Sequence, residues 1–562
     1  MVKRILTFLN KEFHGINEAA LLLGGFAFLS QLLGLFRDRI LAHNIGVGPI
    51  LDIYYAAFRI PDFLYISIAS LASVTVLMPF VVKRLNVNSD SKEQARRFIN
   101  NIFSSYMLFI IIASFIIAIL MPYLVRYIAP GFTEDQLKSL VTTSRIMLFS
   151  PIFIGLSNLF GTITQLFKNF LIFSLSPIFY NIGILLGIIF LYPIMGVYGL
   201  GVGVILGAMM HLLIQVPVII KNSFFPKFIL KINWKEVWDV IKISLPRTLT
   251  LSCNSIAFMV LIAMASTIKT GSISLFTFSY NLQSVPVGII GISYSVAAFP
   301  ILVRTFSSKD MRNFINQIIS ASRQIIFWSL PVMVLLIVLR AQIVRVILGS
   351  NSFSWADTRL TAAAVALFVV SLVSQGLVLL FVRGYYASGN TKKPLIVNVL
   401  SSTMVVIFAF IFVNIFRSYP NILSVLESVL RVHNVPGTIM LALPLSYALG
   451  SILNLCLIWI LFKKDFFCNT PSDLSKTFMQ SLLGSLVMGI VTYFSLNIFD
   501  NIFSLNTGIG IFLQGLFSGA MGIIFGIFVL SMMKNKELED ISRTLSHKFW
   551  KNRIIAPEQG EL

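Results

Sequence analysis

Two neighbouring stretches decide how the chain is read: Ser30-Gln31-Leu32-Leu33-Gly34-Leu35-Phe36-Arg37-Asp38-Arg39 and Leu51-Asp52-Ile53-Tyr54-Tyr55-Ala56-Ala57-Phe58-Arg59-Ile60-Pro61-Asp62. Both are apolar runs suited to lipid, yet they carry Arg37, Asp38, Asp52, Arg59 and Asp62. A charge at the centre of a membrane helix costs about 2.5–3.5 kcal/mol on insertion scales, so such residues face a protein interior or a water-filled path. The rest of the chain is therefore read as the container for this cluster.

Composition supports a membrane container. The mean hydropathy is +0.88, hydrophobic residues make up 57% of the 562 positions, and charged residues only 12%. That charged share is about half of what a soluble domain carries, and a soluble core has no room for so much apolar surface. The chain reads as an all-α polytopic membrane protein. Apolar runs of about 18 residues or more mark spans. Fourteen transmembrane helices are expected, near 17–36, 53–82, 98–121, 140–167, 171–192, 196–220, 238–266, 273–303, 320–339, 358–386, 395–416, 437–462, 477–498 and 507–533.

The net charge of +21 follows from topology and does not imply nucleic acid, because the basic residues are scattered between apolar spans. Lys and Arg concentrate in loops that face the cytoplasm. With fourteen spans and both termini cytoplasmic, 30 of the 43 Lys and Arg fall on the cytoplasmic side and 10 on the other, and Arg59, Arg145 and Arg247 lie inside spans. Residues 1–16 are read as a basic interfacial segment, with Ile5, Leu6, Leu9 and Phe13 as its apolar side. In the charged tail 534–562, Leu538, Ile541, Leu545 and Phe549 recur at helical spacing, which implies an amphipathic helix on the cytoplasmic membrane surface.

An internal repeat organises the spans. Met78-Pro79-Phe80-Val81-Val82-Lys83 is matched by Phe299-Pro300-Ile301-Leu302-Val303-Arg304, 221 residues later, and the same offset carries Leu159-Phe160 onto Leu380-Phe381 and Asn169 onto Asn390. Two six-helix lobes are expected, residues 17–220 and 221–462, with two extra C-terminal helices in 463–533. The Gly183/Gly187 and Gly203/Gly207 spacings imply close helix packing.

No catalytic constellation is present. The sequence has no GxxxxGK[ST] nucleotide loop, no HExxH and no GxSxG elbow, so an ATP-driven pump is excluded for this chain alone. Cys253, Cys456 and Cys468 and the five histidines have no metal-ligand spacing, and neither a metal nor a cofactor is expected. What is left is the charged cluster. Asp52 and Arg59 are seven residues apart, which places them on nearly one helix face, with Pro61 bending the helix just beyond. Arg37 and Asp38 close span 1. Two readings stand: interfacial charges that satisfy one another, or a cationic pocket for an anionic headgroup, since the arginine fork suits phosphate. Arg247, after Pro246 in span 7, either snorkels towards the cytoplasmic edge or points into the same cavity. Asn281 and Ser284 share a face of span 8, with Pro286 and Gly288 available for bending.

These residues carry a family resemblance. Leu-Gly-Leu-Phe-Arg37-Asp38, Leu51-Asp52-Ile-Tyr-Tyr-Ala-Ala-Phe-Arg59-Ile-Pro61, Ser352-Phe-Ser-Trp-Ala-Asp357-Thr358-Arg-Leu-Thr361 and Arg383-Gly-Tyr-Tyr386-Ala-Ser-Gly389-Asn-Thr-Lys resemble the MurJ/MviN family, bacterial lipid II flippases of the MOP exporter superfamily. The resemblance implies two lobes around a central cavity, a groove for the lipid tail, and alternating access in the cytoplasmic membrane. It implies lipid II, the undecaprenyl-pyrophosphate-linked disaccharide peptide, as substrate, with membrane lipids and cell-wall synthesis proteins as candidate partners. By motif, Arg37 matches a cavity arginine that serves the pyrophosphate, and Asp38 and Asp52 match acidic positions. The chain departs from the pattern at Gln31, at Tyr65-Ile66 and at Asn281, where family arginines are common; Arg59 and Arg247 stand as compensating cations. The alternatives are an exporter of another lipid-linked oligosaccharide or of a drug, and a non-transporting scaffold for cell-wall enzymes.

Overall fold

A computed structural model describes the backbone of residues 16–69, 74–85, 91–467, 472–505, 507–540 and 542. It describes the side chains of 24–68, 77–85, 92–245, 248–467, 474–505, 507–540 and 542. The expectations for the basic segment 1–16, apart from the backbone of its last residue, and for most of the tail 534–562 lie outside these residues, as does the side chain of Arg247. Among the described residues the chain is helical, with one isolated bridge, Ser350 to Phe353, and no strand.

Each expected span coincides with a helix or a broken run of helices. Eleven helices are long and apolar enough to cross a bilayer, and Trp355–Val369 with Leu372–Ala387, bent by 42°, makes a twelfth if the pair is one span. The count of fourteen is not reached by this measure. The remaining two expected spans correspond to Ile16–Asn44 and to the interrupted run Pro49–Ala57, Arg59–Leu64, Tyr65–Ala69 and Val74–Leu85. Two short helices were not anticipated, Arg340–Leu348 and the amphipathic Pro420–Leu430. The split expected at Tyr192-Pro193 falls instead at Gly196, whose φ of 60° ends one helix and opens the next.

Apolar side chains face outward, as lipid requires. On Ser91–Ile128 the exposed residues Ile111, Phe115, Ile119, Tyr123 and Tyr127 recur every four positions and form one stripe along the helix. The irregularities of the backbone are local and have identifiable causes. A proline frees the carbonyl one turn before it, and π-helical turns collect beside such sites: Tyr65–Ala69 follows Pro61, and Val287–Ile292 follows Pro286 directly.

The repeat expected from the sequence recurs in the element boundaries. Glu134–Met147 returns as Trp355–Val369, which starts 221 residues later, and Phe149–Leu166 returns as Leu372–Ala387, which ends 221 residues later. The π-helical turn at Tyr65–Ala69 likewise has a counterpart at Val287–Ile292. The offset is lost after Lys392–Ser418, where Pro420–Leu430 is inserted before the next span.

Packing groups the chain into two compact units. One comprises Met1–Val285, Ile347–Ala364 and Asn390–Leu453, the other Pro286–Val346, Val365–Gly389 and Asn454–Leu562. In the first, glycines set the closest approach: Gly183 lies against Gly207, and Gly187 against Gly203, as the spacing implied. A methyl group at Gly183 would stand 2.3 Å from the Gly207 Cα. Arg84 fastens the end of Val74–Leu85 to Trp234–Ser266 through an ion pair of 2.9 Å with Glu236 and rests 4.1 Å over the Phe98 ring. The Glu236 carboxylate also accepts from Asn101 at 3.1 Å.

In the second unit, Ser472–Asp500 and Gly508–Met532 pack tightly, with Gly522 against Thr492 and Gly526 against Met488. Beyond them the buried Glu537 pairs with Arg323 at 2.5 Å and accepts from the Thr477 hydroxyl at 3.1 Å.

Candidate functional site

The first unit assembles the charged cluster from three helices that are far apart in sequence. Arg37 and Asp38 lie late in Ile16–Asn44. The Arg37 guanidinium donates to Asp38 Oδ1 from Nε at 3.0 Å and from Nη2 at 2.8 Å, and its Nη1 reaches Asn181 Oδ1 at 3.4 Å. Asn181, on Phe170–Leu186, donates in turn to Ser30 Oγ at 3.2 Å and to the Pro177 carbonyl at 3.0 Å. From Ser272–Pro286, Asn281 donates to Asp38 Oδ2 at 2.9 Å. Both carboxylate oxygens of Asp38 are thus engaged and the residue is buried, whereas the Arg37 side chain keeps 21% of its surface accessible. The carboxylate holds the guanidinium in one orientation while part of that cation stays accessible.

Asp52 is placed differently. Its carboxylate sits at the N-terminus of Ser272–Pro286, where it accepts from the Gly271 amide, from the Ser274 amide at 2.8 Å and from the Ser274 hydroxyl at 2.6 Å. Amides at a helix start have no partner within the helix, and an anion there also meets the positive end of the dipole. Asp52 is therefore a cap supplied from another helix, 1% exposed. Gly271 takes φ +92°, a conformation that glycine adopts without strain.

Asp52 and Arg59, expected on one face, do not meet. The helix is interrupted at Phe58, and Arg59 turns its Nε back to the Tyr55 carbonyl at 3.0 Å while its guanidinium lies 4.8 Å over the Phe258 ring. An arginine over an aromatic face is held without losing its charge. Phe276 and Tyr280 pack against the Phe258 ring, and Tyr54, Tyr55, Phe278 and Phe353 form a separate run of ring contacts in the same unit. Of the six residues expected at the site, Arg37, Asp38 and Asn281 come together, Asp52 and Arg59 have separate settings in the same unit, and the Arg247 side chain is not described.

Asn181 was missed. The available signal was its position as an amide within an apolar run, Phe179-Tyr180-Asn181-Ile182, because polar groups in spans usually bond to another helix.

A cavity of about 250 Å³ opens in the same unit. Asp62, Tyr65, Ser150, Pro177, Tyr180 and His211 are among its lining residues.

The fold is similar to that of solved membrane transporters. A multidrug resistance MATE transporter of the MOP superfamily, in an inward-facing conformation, superposes with a TM-score of 0.61 at 16% identity, covering 80% of this chain and 96% of that one. A structure described as lipid II flippase MurJ, inward closed conformation, superposes with a TM-score of 0.72 at 23% identity, covering 93% of this chain and 99% of that one. The chain belongs to the MurJ family: the family model described as "Lipid II flippase MurJ" matches residues 41–513. Curated relatives agree. A probable lipid II flippase MurJ of Thermotoga maritima is 26% identical over 530 residues, 92% of this chain and 97% of the relative. One of Buchnera aphidicola is 25% identical over 400 residues, 69% of this chain and 76% of the relative.

Proposed function

We infer that this chain is a lipid II flippase, a transporter and not an enzyme, which moves the undecaprenyl-pyrophosphate-linked disaccharide peptide from the inner to the outer leaflet for peptidoglycan synthesis. Family membership over most of the chain supports this reading. The observation that carries it at the level of residues is Arg37, oriented by Asp38 and Asn181 yet still accessible. A pyrophosphate cannot cross hydrocarbon unaided, because its lost hydration has to be replaced by cations and dipoles. Arg37 supplies a fixed cation, and Arg59 a second one over the Phe258 ring. The lipid tail stays in the bilayer while two lobes rock in alternating access.

The charge distribution over the loops supports cytoplasmic placement of both termini, in the bacterial inner membrane. Cell-wall synthesis proteins remain partners to be sought through the basic loops. Family membership disfavours the drug-exporter and scaffold readings, and a drug exporter has no use for a phosphate-binding arginine.

The reading is tested in proteoliposomes carrying fluorescent lipid II, by the fraction of label that becomes accessible to an impermeant quencher. The full-length protein raises that fraction above empty vesicles, and Arg37→Ala does not. Equal accessibility in empty and protein-loaded vesicles would remove the assignment.

A further inference from the structure

The cavity beside the charged cluster has a titratable lining that the flippase reading does not use. Asp62 sits three residues after Arg59 on the short helix Arg59–Leu64 and lines the cavity together with Tyr65, Ser150, Tyr180 and His211. Among the described residues none donates a hydrogen bond to this carboxylate. At about 250 Å³ the space has room for about eight waters at roughly 30 Å³ each, and Asp62, Tyr65, Ser150, Tyr180 and His211, set among apolar residues such as Met147, Ile154 and Val204, offer them polar partners.

We propose that Asp62 is a proton-binding group served by this cavity, and that its protonation is linked to the binding of a pyrophosphate headgroup at Arg59. The second half rests on the flippase reading; the first does not. Arg59 and Asp62 stand three residues apart on the helix Arg59–Leu64, a spacing that makes side chains neighbours across one turn. An ionised Asp62 offsets the Arg59 charge, whereas a neutral Asp62, having taken a proton from cavity water, leaves that charge whole for an anion. Linkage then requires that proton and headgroup raise each other's affinity by the same factor.

The surroundings favour a proton over a metal cation. The Tyr65 hydroxyl accepts from Asn158 at 2.9 Å, and Tyr180 bonds with Ser150. His211, whose Nδ1 lies 2.6 Å from Ser157 Oγ, is a second titratable group on the same wall and no ligand for an alkali ion. Few oxygens therefore remain to build an alkali-ion shell around Asp62.

Other titratable groups stand on the neighbouring helices, Tyr280 among them, which packs on the same Phe258 ring as Arg59. Tyr106 on Ser91–Ile128 donates to the Pro151 carbonyl at 2.7 Å. Arg145 on Glu134–Met147 is exposed and turns to the Ala118 carbonyl. Tyr54 and Tyr55 are buried one turn before Arg59, the Tyr55 hydroxyl with no hydrogen-bond partner among the described residues, and Phe149–Leu166 carries no titratable residue. Trp234–Ser266 meets this stretch through Ser252 and Phe258, and its described charges, Lys235 to Lys242, lie turns away.

The test uses the full-length protein in lipid nanodiscs. Infrared difference spectra recorded across a pH titration report protonated carboxyl groups, and the wild type is expected to show a carboxyl band that Asp62→Asn lacks and Asp62→Glu retains at a shifted position. Identical titrations in the wild type and a folded Asp62→Asn would overturn the proton site. Loss of the band on adding sodium at fixed pH, in the wild type alone, would assign the carboxylate to a metal cation and overturn it equally.

Binding of undecaprenyl pyrophosphate then reads the linkage. The wild type is expected to bind on the order of tenfold more tightly below the carboxyl transition than above it, and Asp62→Asn to bind equally on both sides. A wild type whose binding does not change across the transition contradicts the linkage. A carboxyl band that titrates in a protein that does not bind the lipid at all leaves the proton site standing and removes the flippase reading.

Discussion

Arg37 and Asp52, both charges set in apolar sequence, do different work. Arg37 is the accessible cation, and its bonds to Asp38 and Asn181 aim it. Arg37→Lys keeps the charge but has a single nitrogen for partners that now occupy three. Losing a hydrogen bond to a charged group costs about 1.5–3 kcal/mol, which is about tenfold to a hundredfold in affinity. Pyrophosphate binding measured on the purified Arg37→Lys variant is expected to fall within that range while thermal stability changes little. Asp52 behaves in the opposite way. Asp52→Ala leaves the Gly271 and Ser274 amides without an acceptor in a buried place, a loss of about 1–3 kcal/mol for an unsatisfied group. Its melting temperature in detergent drops, and Asp52→Asn, which retains an acceptor oxygen, recovers part of the loss. The sequence showed that all these charges needed partners, and Arg37 and Asp38 were readable as neighbours. It did not reveal that Asp52 would be claimed by a helix start more than two hundred residues away. A 3.6-residue periodicity speaks only of one helix, and the interruption at Phe58 cancels even that inference.

At the scale of elements, small residues and prolines set what the helices can do. Phe170–Leu186 with its π-helical extension and Val197–Leu213 touch backbone to backbone at Gly183 with Gly207 and at Gly187 with Gly203. Adding side-chain bulk to so close a contact forces the helices apart, at a typical cost of 1–3 kcal/mol. Gly183→Leu is expected to lower the melting temperature by several degrees, and Gly24→Ala, where nothing lies within 4 Å, to leave it unchanged. Equal melting temperatures for the two variants would contradict the packing account. The GxxxG spacing announced this contact, and the apolar runs announced the spans, because lipid imposes both requirements on sequence directly. The π-helical turns were legible only as bending sites at Pro61 and Pro286. Their register depends on which freed carbonyls find partners, and that is decided between helices.

For the whole molecule, the 221-residue repeat was visible in three short matches and returns in the helix boundaries. The insertion of Pro420–Leu430 was not legible, since eleven amphipathic residues between spans fit a loop equally well. The family motifs supplied the substrate class that physics alone left open between an anionic headgroup and mutually satisfied charges. The central claim, that this chain carries lipid II across the membrane by way of Arg37, is tested most directly in cells whose own lipid II flippase is depleted, by measuring lipid II in the outer leaflet. The wild-type chain is expected to restore growth and outer-leaflet lipid II, and Arg37→Ala, expressed to the same level, to restore neither. A well-expressed wild type that leaves outer-leaflet lipid II at the depleted level, or an Arg37→Ala variant that restores it fully, would contradict the account.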